Sequence, residues 1–164
     1  QLSWVKGINI GIARIFNIYG ENEPLGERAH VVADLIRKAI LYPKEEFTVW
    51  GNGKQSRDFL YVSDCVDALL KLEAALSNST NSITVNIGSN VPIPIGALAE
   101  KVLEISGKDI EARYDLSKPV GPLSRTANIA KDKNLLGWDN RLKLEDRLKR
   151  SYESVEKRLR KSYR

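Results

Sequence analysis

The sequence contains no methionine, one cysteine (Cys65), one histidine (His30) and no apolar run approaching twenty residues. With a single residue of each type, neither a disulfide framework nor a cysteine-rich zinc site can form, and a Cys-His catalytic pair would have no spare histidine. The short apolar runs exclude a membrane-spanning helix. We expect Cys65 to be a small, buried side chain in a reducing, cytoplasmic compartment.

The lack of methionine also bears on where the chain starts. Initiator methionine is removed before small residues, whereas the first residue here is Gln1. We therefore expect the chain to be part of a longer protein. No basic segment followed by an apolar stretch opens the sequence, so no secretory signal is predicted within it.

What is present is the composition of a soluble globular protein, with 42% apolar and 29% charged residues. A length of 164 residues predicts a single domain over residues 1–164 with one core. Of the 26 basic and 21 acidic residues, 10 and 4 lie in residues 141–164, so the rest of the chain is nearly neutral. A basic last helix is more often a solvated face than a nucleic-acid-binding surface, and no basic stripe with interleaved aromatics occurs elsewhere in the chain, so no nucleic-acid partner is predicted.

Strand and helix patterns alternate along the chain, which predicts an α/β fold with some parallel strand pairs. Strands are expected at residues 8–16, 47–50, 58–62, 83–88 and 110–114. Helices are expected at residues 29–42, from 63 onward, at 95–106, at 130–136 and from about 144. Gly107 and Gly137 are expected to end the third and fourth of these helices.

Two helices carry apolar stripes that predict which face is buried. In the helix that Ser63 is expected to cap, the predicted inner face consists of Val66, Leu69, Leu70 and Leu76. In the last helix, the predicted stripe consists of Leu144, Leu148, Tyr152, Val155 and Leu159.

Five segments occur in an order that is typical of one enzyme family. They are Arg14-Ile15-Phe16-Asn17-Ile18-Tyr19-Gly20, Val49-Trp50-Gly51-Asn52-Gly53-Lys54-Gln55-Ser56-Arg57-Asp58-Phe59, Val62-Ser63-Asp64, Asn86-Ile87-Gly88-Ser89 and Leu135-Leu136-Gly137-Trp138. Together they resemble the extended short-chain dehydrogenases/reductases that act on nucleotide sugars, the UDP-glucose 4-epimerase-like NAD-dependent epimerase/dehydratase family. The resemblance covers nearly the whole chain. It implies the C-terminal half of such a Rossmann-like enzyme, the substrate-binding lobe, with the N-terminal NAD-binding half absent.

The resemblance implies that Arg57 and Gln55 contact a nucleoside-diphosphate sugar. A diphosphate needs forked cationic donors, and Arg57 follows a turn with two glycines, where backbone can approach a ligand closely. The Gln55 amide could bind a ribose or diphosphate oxygen. The alternative for Arg57 is an ion-paired surface arginine.

Four further substrate-binding residues follow from the resemblance. It places Asn17, at a strand end, against the sugar or its phosphates, the alternative being an Asn that binds its own loop backbone. His30 and Val31 lie at a helix N-terminus, where free N–H groups favour an anion, although an exposed His30 without contact fits equally well. Val49 resembles the strand that borders the base, and a buried core valine is the equal alternative.

A second phosphate-contact loop is implied at residues 118–128. Many family members have Arg where Lys118 stands, and Lys cannot make the planar two-pronged contact, so Arg125 is expected to carry more of that role. The resemblance also places Phe16, at the end of the first strand, beside the nicotinamide of the cofactor.

Two family features are missing from the sequence. A GxxGxxG turn that would hold the cofactor diphosphate is absent. Tyr114 and Lys118 have the Tyr-x-x-x-Lys spacing of the family's catalytic pair, but Lys118 precedes Pro119, which disfavours a helix there. No catalytic residue and no metal ligand is therefore predicted in this chain.

The function implied is the nucleotide-sugar-binding half of an NAD(P)-dependent epimerase, inactive as the isolated chain. A dehydratase of the same family and a non-catalytic nucleotide-sugar-binding or regulatory module remain as alternatives. NAD is the expected cofactor of the complete enzyme and is not expected to bind this chain alone. The expected partners are a nucleoside-diphosphate sugar and the missing NAD-binding half, and a homodimer is left open.

Overall fold

The computed structural model describes residues 8–139 and 143–162. As predicted, strands and helices alternate along this part of the chain. The strands are β1 (Gly11–Ile15), β2 (Ile18–Tyr19), β3 (Thr48–Trp50), β4 (Ser56–Asp58), β5 (Leu60–Tyr61), β6 (Ile83–Ile87), β7 (Pro92–Pro94), β8 (Arg113–Asp115) and β9 (Ser124–Arg125). The helices are a 3-10 turn at Gly26–Arg28, α1 (Val31–Leu41), α2 (Val62–Ser77), α3 (Ile95–Ser106), α4 (Ala130–Leu136) and α5 (Leu144–Ser162).

The contacts group these elements into two compact units. Unit 1 comprises the described residues of Gln1–Ile18, Asp58–Val91 and Thr126–Arg141. Unit 2 comprises those of Tyr19–Arg57, Pro92–Arg125 and Leu142–Arg164. Each unit contains buried apolar side chains of its own, and a single domain over residues 1–164 stays a prediction.

Unit 1 is built on a parallel strand pair. Strand β1 lies in register with β6, from Gly11 opposite Ile83 to Ile15 opposite Ile87. Along β6, buried and half-buried side chains alternate, as expected for a strand with one face on the core. Leu76 of α2 packs directly on β1, because a Cβ at Gly11 would lie 2.6 Å from its Cδ1 atom.

The buried face of α2 differs from the predicted one. Of the four predicted side chains, only Leu76 packs against the core of unit 1, whereas Leu69, Val66 and Leu70 are 38%, 49% and 59% exposed. The buried side chains of the helix are those of Cys65, Ala68 and Leu72. Both faces of the helix are apolar, so periodicity alone could not show which one meets the sheet. Because the Cys65 and Ala68 side chains are small, this face of α2 can lie close to the strands of unit 1.

The N-terminus of α2 differs from the prediction, whereas the burial of Cys65 agrees with it. The helix begins at Val62 with Tyr61 as its N-cap and without a side-chain cap hydrogen bond, so Ser63 is not the cap. Cys65 is a buried free thiol, as predicted. Its burial raises the pKa of the thiol and keeps it protonated.

A buried carboxylate ties together the loops of unit 1. Asp58 is 0% exposed, and its Oδ1 accepts hydrogen bonds from the N–H (2.6 Å) and the hydroxyl (2.5 Å) of Ser89. Its Oδ2 accepts from the N–H groups of Asn90 (3.1 Å) and Ala127 (2.9 Å). A Cβ at Gly88 would lie 2.9 Å from Oδ2, which explains the glycine at that position. The carboxylate thus fixes both the loop after β6 and the segment before α4.

Unit 2 contains two further sets of parallel strands and three helices. Strand β3 pairs with β8, and β4 pairs with β9 so that Arg57 lies opposite Arg125. Helices α1, α3 and α5 pack against one another. Their fully buried side chains include Leu35, Leu98 and Leu148.

Several predicted helix ends are confirmed. Helix α3 ends at Gly107 and α4 at Gly137, both in the left-handed conformation, with φ of 63° and 55°. Helix α5 starts at Leu144 and buries Leu148 and Val155 of its predicted stripe. No helix that the structure describes combines the length and apolar character needed to cross a bilayer.

Tyr114 is not on a helix, as predicted. It lies in the middle of the three-residue strand β8, and a turn follows before Lys118. The two side chains therefore lack the one-turn helical spacing of a catalytic Tyr-Lys pair.

Replacing Asp58 tests the role of its carboxylate. We expect Asp58→Ala to lower the free energy of unfolding by about 3 kcal/mol, because buried N–H groups lose a charged acceptor. Urea denaturation measures the change. The matched control Asp67→Ala, at an exposed position on α2, should alter stability by less than about 0.5 kcal/mol. Equal effects of the two substitutions would contradict the role assigned to Asp58.

Candidate functional site

Unit 2 contains a cavity of about 250 Å³. Its apolar wall comprises Ala29, Val31, Leu35, Val49, Trp50, Ile95, Pro119 and Val120. Its polar lining comprises Asp34, Thr48, Gln55 and Arg57. A mostly apolar pocket with a few converging polar groups is the usual form of a small-molecule site.

The cavity is formed where four local features of the sequence meet. The N-terminal half of α1, strand β3, the segment from Gln55 to Arg57 and the pair Pro119-Val120 all border it. Gly51 and Gly53 have φ of 73° and 74°, a conformation that side chains disfavour. A Cβ at Gly51 would lie only 2.1 Å from Val120 Cγ1, so the valine rests on bare backbone.

Gln55 lines this cavity and carries an unsatisfied acceptor. The residue is 5% exposed, and its Nε2 donates a hydrogen bond of 2.7 Å to the carbonyl oxygen of Trp50. Its Oε1 is buried and has no hydrogen-bond partner. A buried acceptor without a partner costs free energy, so a donor supplied by a ligand would be favoured there.

Arg57 is anchored by backbone carbonyl groups. Its Nη1 donates to the oxygens of Ser56 and Pro122, and its Nη2 donates to the oxygen of Val120, each at 2.7 Å. A guanidinium has five N–H donors, so these three bonds leave the Nε–H and one Nη2–H. The positive charge lies at the cavity in a fixed position, with two donors left for an anion.

Asp34 is the carboxylate that lines the cavity, and it is paired. Its Oδ1 accepts from Arg37 at 2.8 Å, and its Oδ2 lies 2.7 Å from the Lys38 ammonium. Because these two cations offset its charge, Asp34 does not oppose a bound anion as an isolated carboxylate would.

Trp50 is a site residue that the sequence analysis missed. Its side chain is 50% exposed and lines the cavity, and the Lys118 ammonium lies 5.7 Å from the ring centroid. This is cation–π distance, and it places Lys118 beside the cavity. The available signal was a large aromatic side chain directly before the glycine turn.

Asp115 begins the turn that leads to Lys118. Hydrogen bonds from the hydroxyl and N–H of Ser117 lower the pKa of the Asp115 carboxyl, and Lys118 and Arg113 add smaller effects. The carboxylate therefore stays ionised and caps the turn.

The structure brings four of the predicted substrate residues together, Val31, Val49, Gln55 and Arg57. His30 is the N-cap of α1, but its side chain is 77% exposed and binds Glu23 at 2.7 Å. Burial raises the pKa of Glu23, and the hydrogen bond and charge of His30 act in the opposite direction. Arg125 is exposed and is not part of the cavity lining.

The remaining two predicted residues, Asn17 and Phe16, lie in unit 1. Asn17 donates its Nδ2–H to the carbonyl oxygen of Asp58 at 2.8 Å, so its amide supports a loop. Phe16 is partly buried against the core of unit 1, and its N–H donates to the oxygen of Ile87. Their roles toward substrate and cofactor stay predictions. Within residues 8–139 and 143–162, no group of three His, Cys, Asp or Glu side chains could hold a metal ion.

Proteins of known family are similar to this chain in sequence. The sequence model of the NAD dependent epimerase/dehydratase family matches residues 4–88. UDP-glucuronic acid decarboxylase 3 of Arabidopsis thaliana is 39% identical over 87% of this chain and 40% of its own length. A putative GDP-L-fucose synthase 2 of the same plant is 35% identical over 84% of this chain and 42% of its own length. The chain thus spans about two fifths of these relatives.

Solved structures share the fold. UDP-glucose 4-epimerase from Thermotoga maritima, crystallised with UDP-glucose, aligns with a TM-score of 0.84 and 27% identity over 96% of this chain and 49% of that one. UDP-glucuronic acid 4-epimerase from Bacillus cereus, in complex with UDP-glucuronic acid and NAD, aligns with a TM-score of 0.75 and 26% identity over 94% and 48%.

The comparisons contradict the assignment of the chain to the C-terminal half of such an enzyme. The family match lies at residues 4–88, and the structural alignments, over about 96% of this chain, fall on the N-terminal half of the solved chains. The five ordered motifs identify family membership, but motif order within a short chain does not fix its position in a longer one.

The unsatisfied acceptor of Gln55 leads to a stability prediction. We expect Gln55→Leu to change the free energy of unfolding by no more than about 1 kcal/mol, although the residue is buried. The variant loses one hydrogen bond but also removes an unsatisfied acceptor, and the two effects offset each other. Urea denaturation measures the change in the free energy of unfolding. A decrease as large as that expected for Asp58→Ala would mean that Gln55 is mainly structural.

Proposed function

Because the chain belongs to the NAD-dependent epimerase/dehydratase family, we propose that the cavity of unit 2 binds the nucleoside diphosphate of a nucleotide sugar. The observation that carries this proposal is the pairing of an unused acceptor with unused cationic donors at one apolar cavity. Gln55 supplies the acceptor, and Arg57 supplies two N–H donors.

Each part of a nucleotide finds a chemical match in the lining. The planar base fits among Val31, Val49 and the indole of Trp50, where stacking and apolar burial favour it. A base N–H or a ribose hydroxyl satisfies Gln55 Oε1. The diphosphate takes the remaining N–H groups of Arg57, and the Lys118 ammonium adds positive charge beside it.

Binding of the nucleotide would serve the reaction by holding the sugar in place. Binding energy from a part of the substrate that does not react can position the part that does. In this family NAD supplies hydride transfer at the sugar ring. The Gly51-Asn52-Gly53 turn lies between strands β3 and β4, not between a strand and a helix, so this turn does not have the setting of the glycine-rich cradle of that cofactor.

For the protein as a whole we propose epimerisation of a nucleotide sugar. Decarboxylation is the second candidate, because three of the curated relatives are UDP-glucuronic acid decarboxylases of Arabidopsis thaliana, 36–39% identical to this chain. An assay of the protein with UDP-glucose and with UDP-glucuronic acid, in the presence of NAD, distinguishes them by the product formed. A chain that binds these sugars without turnover would instead fit a non-catalytic binding module.

The binding proposal is tested by ligand titration. We expect UDP-glucose or a GDP-sugar to raise the melting temperature more than NAD does, since the cavity offers donors and an acceptor for the nucleoside diphosphate. Arg57→Ala should weaken binding of the sugar nucleotide at least about tenfold, because charged hydrogen bonds to the diphosphate are lost. Isothermal titration calorimetry measures the affinity.

The matched control is Arg160→Ala. Arg160 is an exposed arginine on α5 that pairs with Glu156, so its removal should leave the affinity unchanged. If neither sugar nucleotide shifts the melting temperature, or if NAD shifts it as much, the proposal fails. Equal losses in the two variants would show a general effect of net charge rather than a specific contact.

A further inference from the structure

One wall of the cavity is a thin segment that we call the strap, residues 118–122. Pro119 and Val120 of the strap line the cavity. Val120 is half-buried, and the other four residues are exposed. Leu116 and Leu123, on either side of the strap, are exposed as well. Segments with so little buried surface are those that open locally at low free-energy cost.

Three contacts hold the strap against strands β3 and β4 and the turn that joins them. Val120 Cγ1 rests on the backbone of Gly51, and the Lys118 ammonium lies over the Trp50 ring. The third contact is Arg57, which donates to the carbonyl oxygens of Val120 and Pro122. Because one planar guanidinium bridges two carbonyls two residues apart, it fixes the curvature of the strap as well as its distance from β4.

We propose that the strap opens and closes over the cavity and that Arg57 is its latch. This inference rests on the proposed nucleotide site. In the closed state Arg57 is held by the strap, and its two unused donors are positioned for the ligand. A diphosphate bound to those donors holds the guanidinium in the orientation that also binds the strap, so the ligand favours the closed state. Opening provides the route of entry.

Gly121 makes the latch testable without changing Arg57 itself. Its φ is 66°, and a Cβ there would lie 3.4 Å from Arg57 Nη2. Gly121→Ala therefore strains the strap between the two carbonyls that Arg57 binds and places a methyl group against the guanidinium. Gly107→Ala is a matched control, because Gly107 has φ of 63° and an added Cβ would meet nothing within 4 Å.

The first experiment is hydrogen exchange of the unliganded protein, read by mass spectrometry. We expect the peptide covering residues 116–125 to exchange about tenfold faster in Gly121→Ala than in wild type, because a weakened hydrogen bond from Arg57 to the strap carbonyls makes opening of the segment more frequent and so exposes its N–H groups more often. Peptides from α1 and α3 should not change. In Gly107→Ala the 116–125 peptide should exchange at the wild-type rate. A wild-type rate in Gly121→Ala, or equal acceleration in both variants, overturns the latch.

The second experiment adds UDP at saturation, with affinity measured by calorimetry on the same sample. We expect UDP to slow exchange of the 116–125 peptide in wild type and to bind Gly121→Ala more weakly. If UDP binds without slowing hydrogen exchange of the 116–125 peptide, the proposed closure of the strap is wrong but the proposed function is not affected. If UDP and GDP both fail to bind, the proposed function fails and with it the ligand-driven closure, whereas the unliganded comparison still decides whether Arg57 latches the strap.

Discussion

The loops of unit 1 depend on the buried carboxylate of Asp58. It accepts hydrogen bonds from the Ser89 hydroxyl and from three backbone N–H groups, those of Ser89, Asn90 and Ala127. A buried carboxylate is stable only when its oxygen atoms accept hydrogen bonds. The loops of unit 1 are therefore held in the conformation that brings their N–H groups to Asp58. Gly88 follows from the same constraint, because a side chain there would meet the carboxylate.

Arg57, the neighbour of Asp58 in sequence, is a positively charged side chain that fixes a loop of unit 2 by donating hydrogen bonds to its carbonyl oxygens. It satisfies carbonyl oxygens of the 118–122 strap and keeps two donors free. The arrangement differs from a surface arginine that reaches for a ligand, because much of its side-chain entropy is already lost before binding. Beside it, Gln55 keeps an acceptor unsatisfied at a buried position, which is the kind of local cost that binding sites carry.

Particular residues show how far the sequence could be interpreted. Gly107 and Gly137 were predictable as helix ends because a left-handed residue is a local requirement that glycine meets most easily. The inner face of α2 was not, since Val66 and Leu70 are as apolar as the side chains that pack inward. Trp50 was overlooked for a related reason. Whether an aromatic residue borders a cavity depends on the strap, which is distant from it in sequence.

The sequence alone determined the alternation of strands and helices, most helix ends and membership in the family, because these follow from periodicity, glycine positions and ordered motifs. Only the tertiary structure decided which face of α2 is buried, that Val31, Val49, Gln55 and Arg57 meet at one cavity, and that His30 and Arg125 do not line it. The physical reason is that burial and hydrogen-bond partners are set by residues far apart along the chain. The three carbonyls that Arg57 binds include two that lie more than sixty residues away.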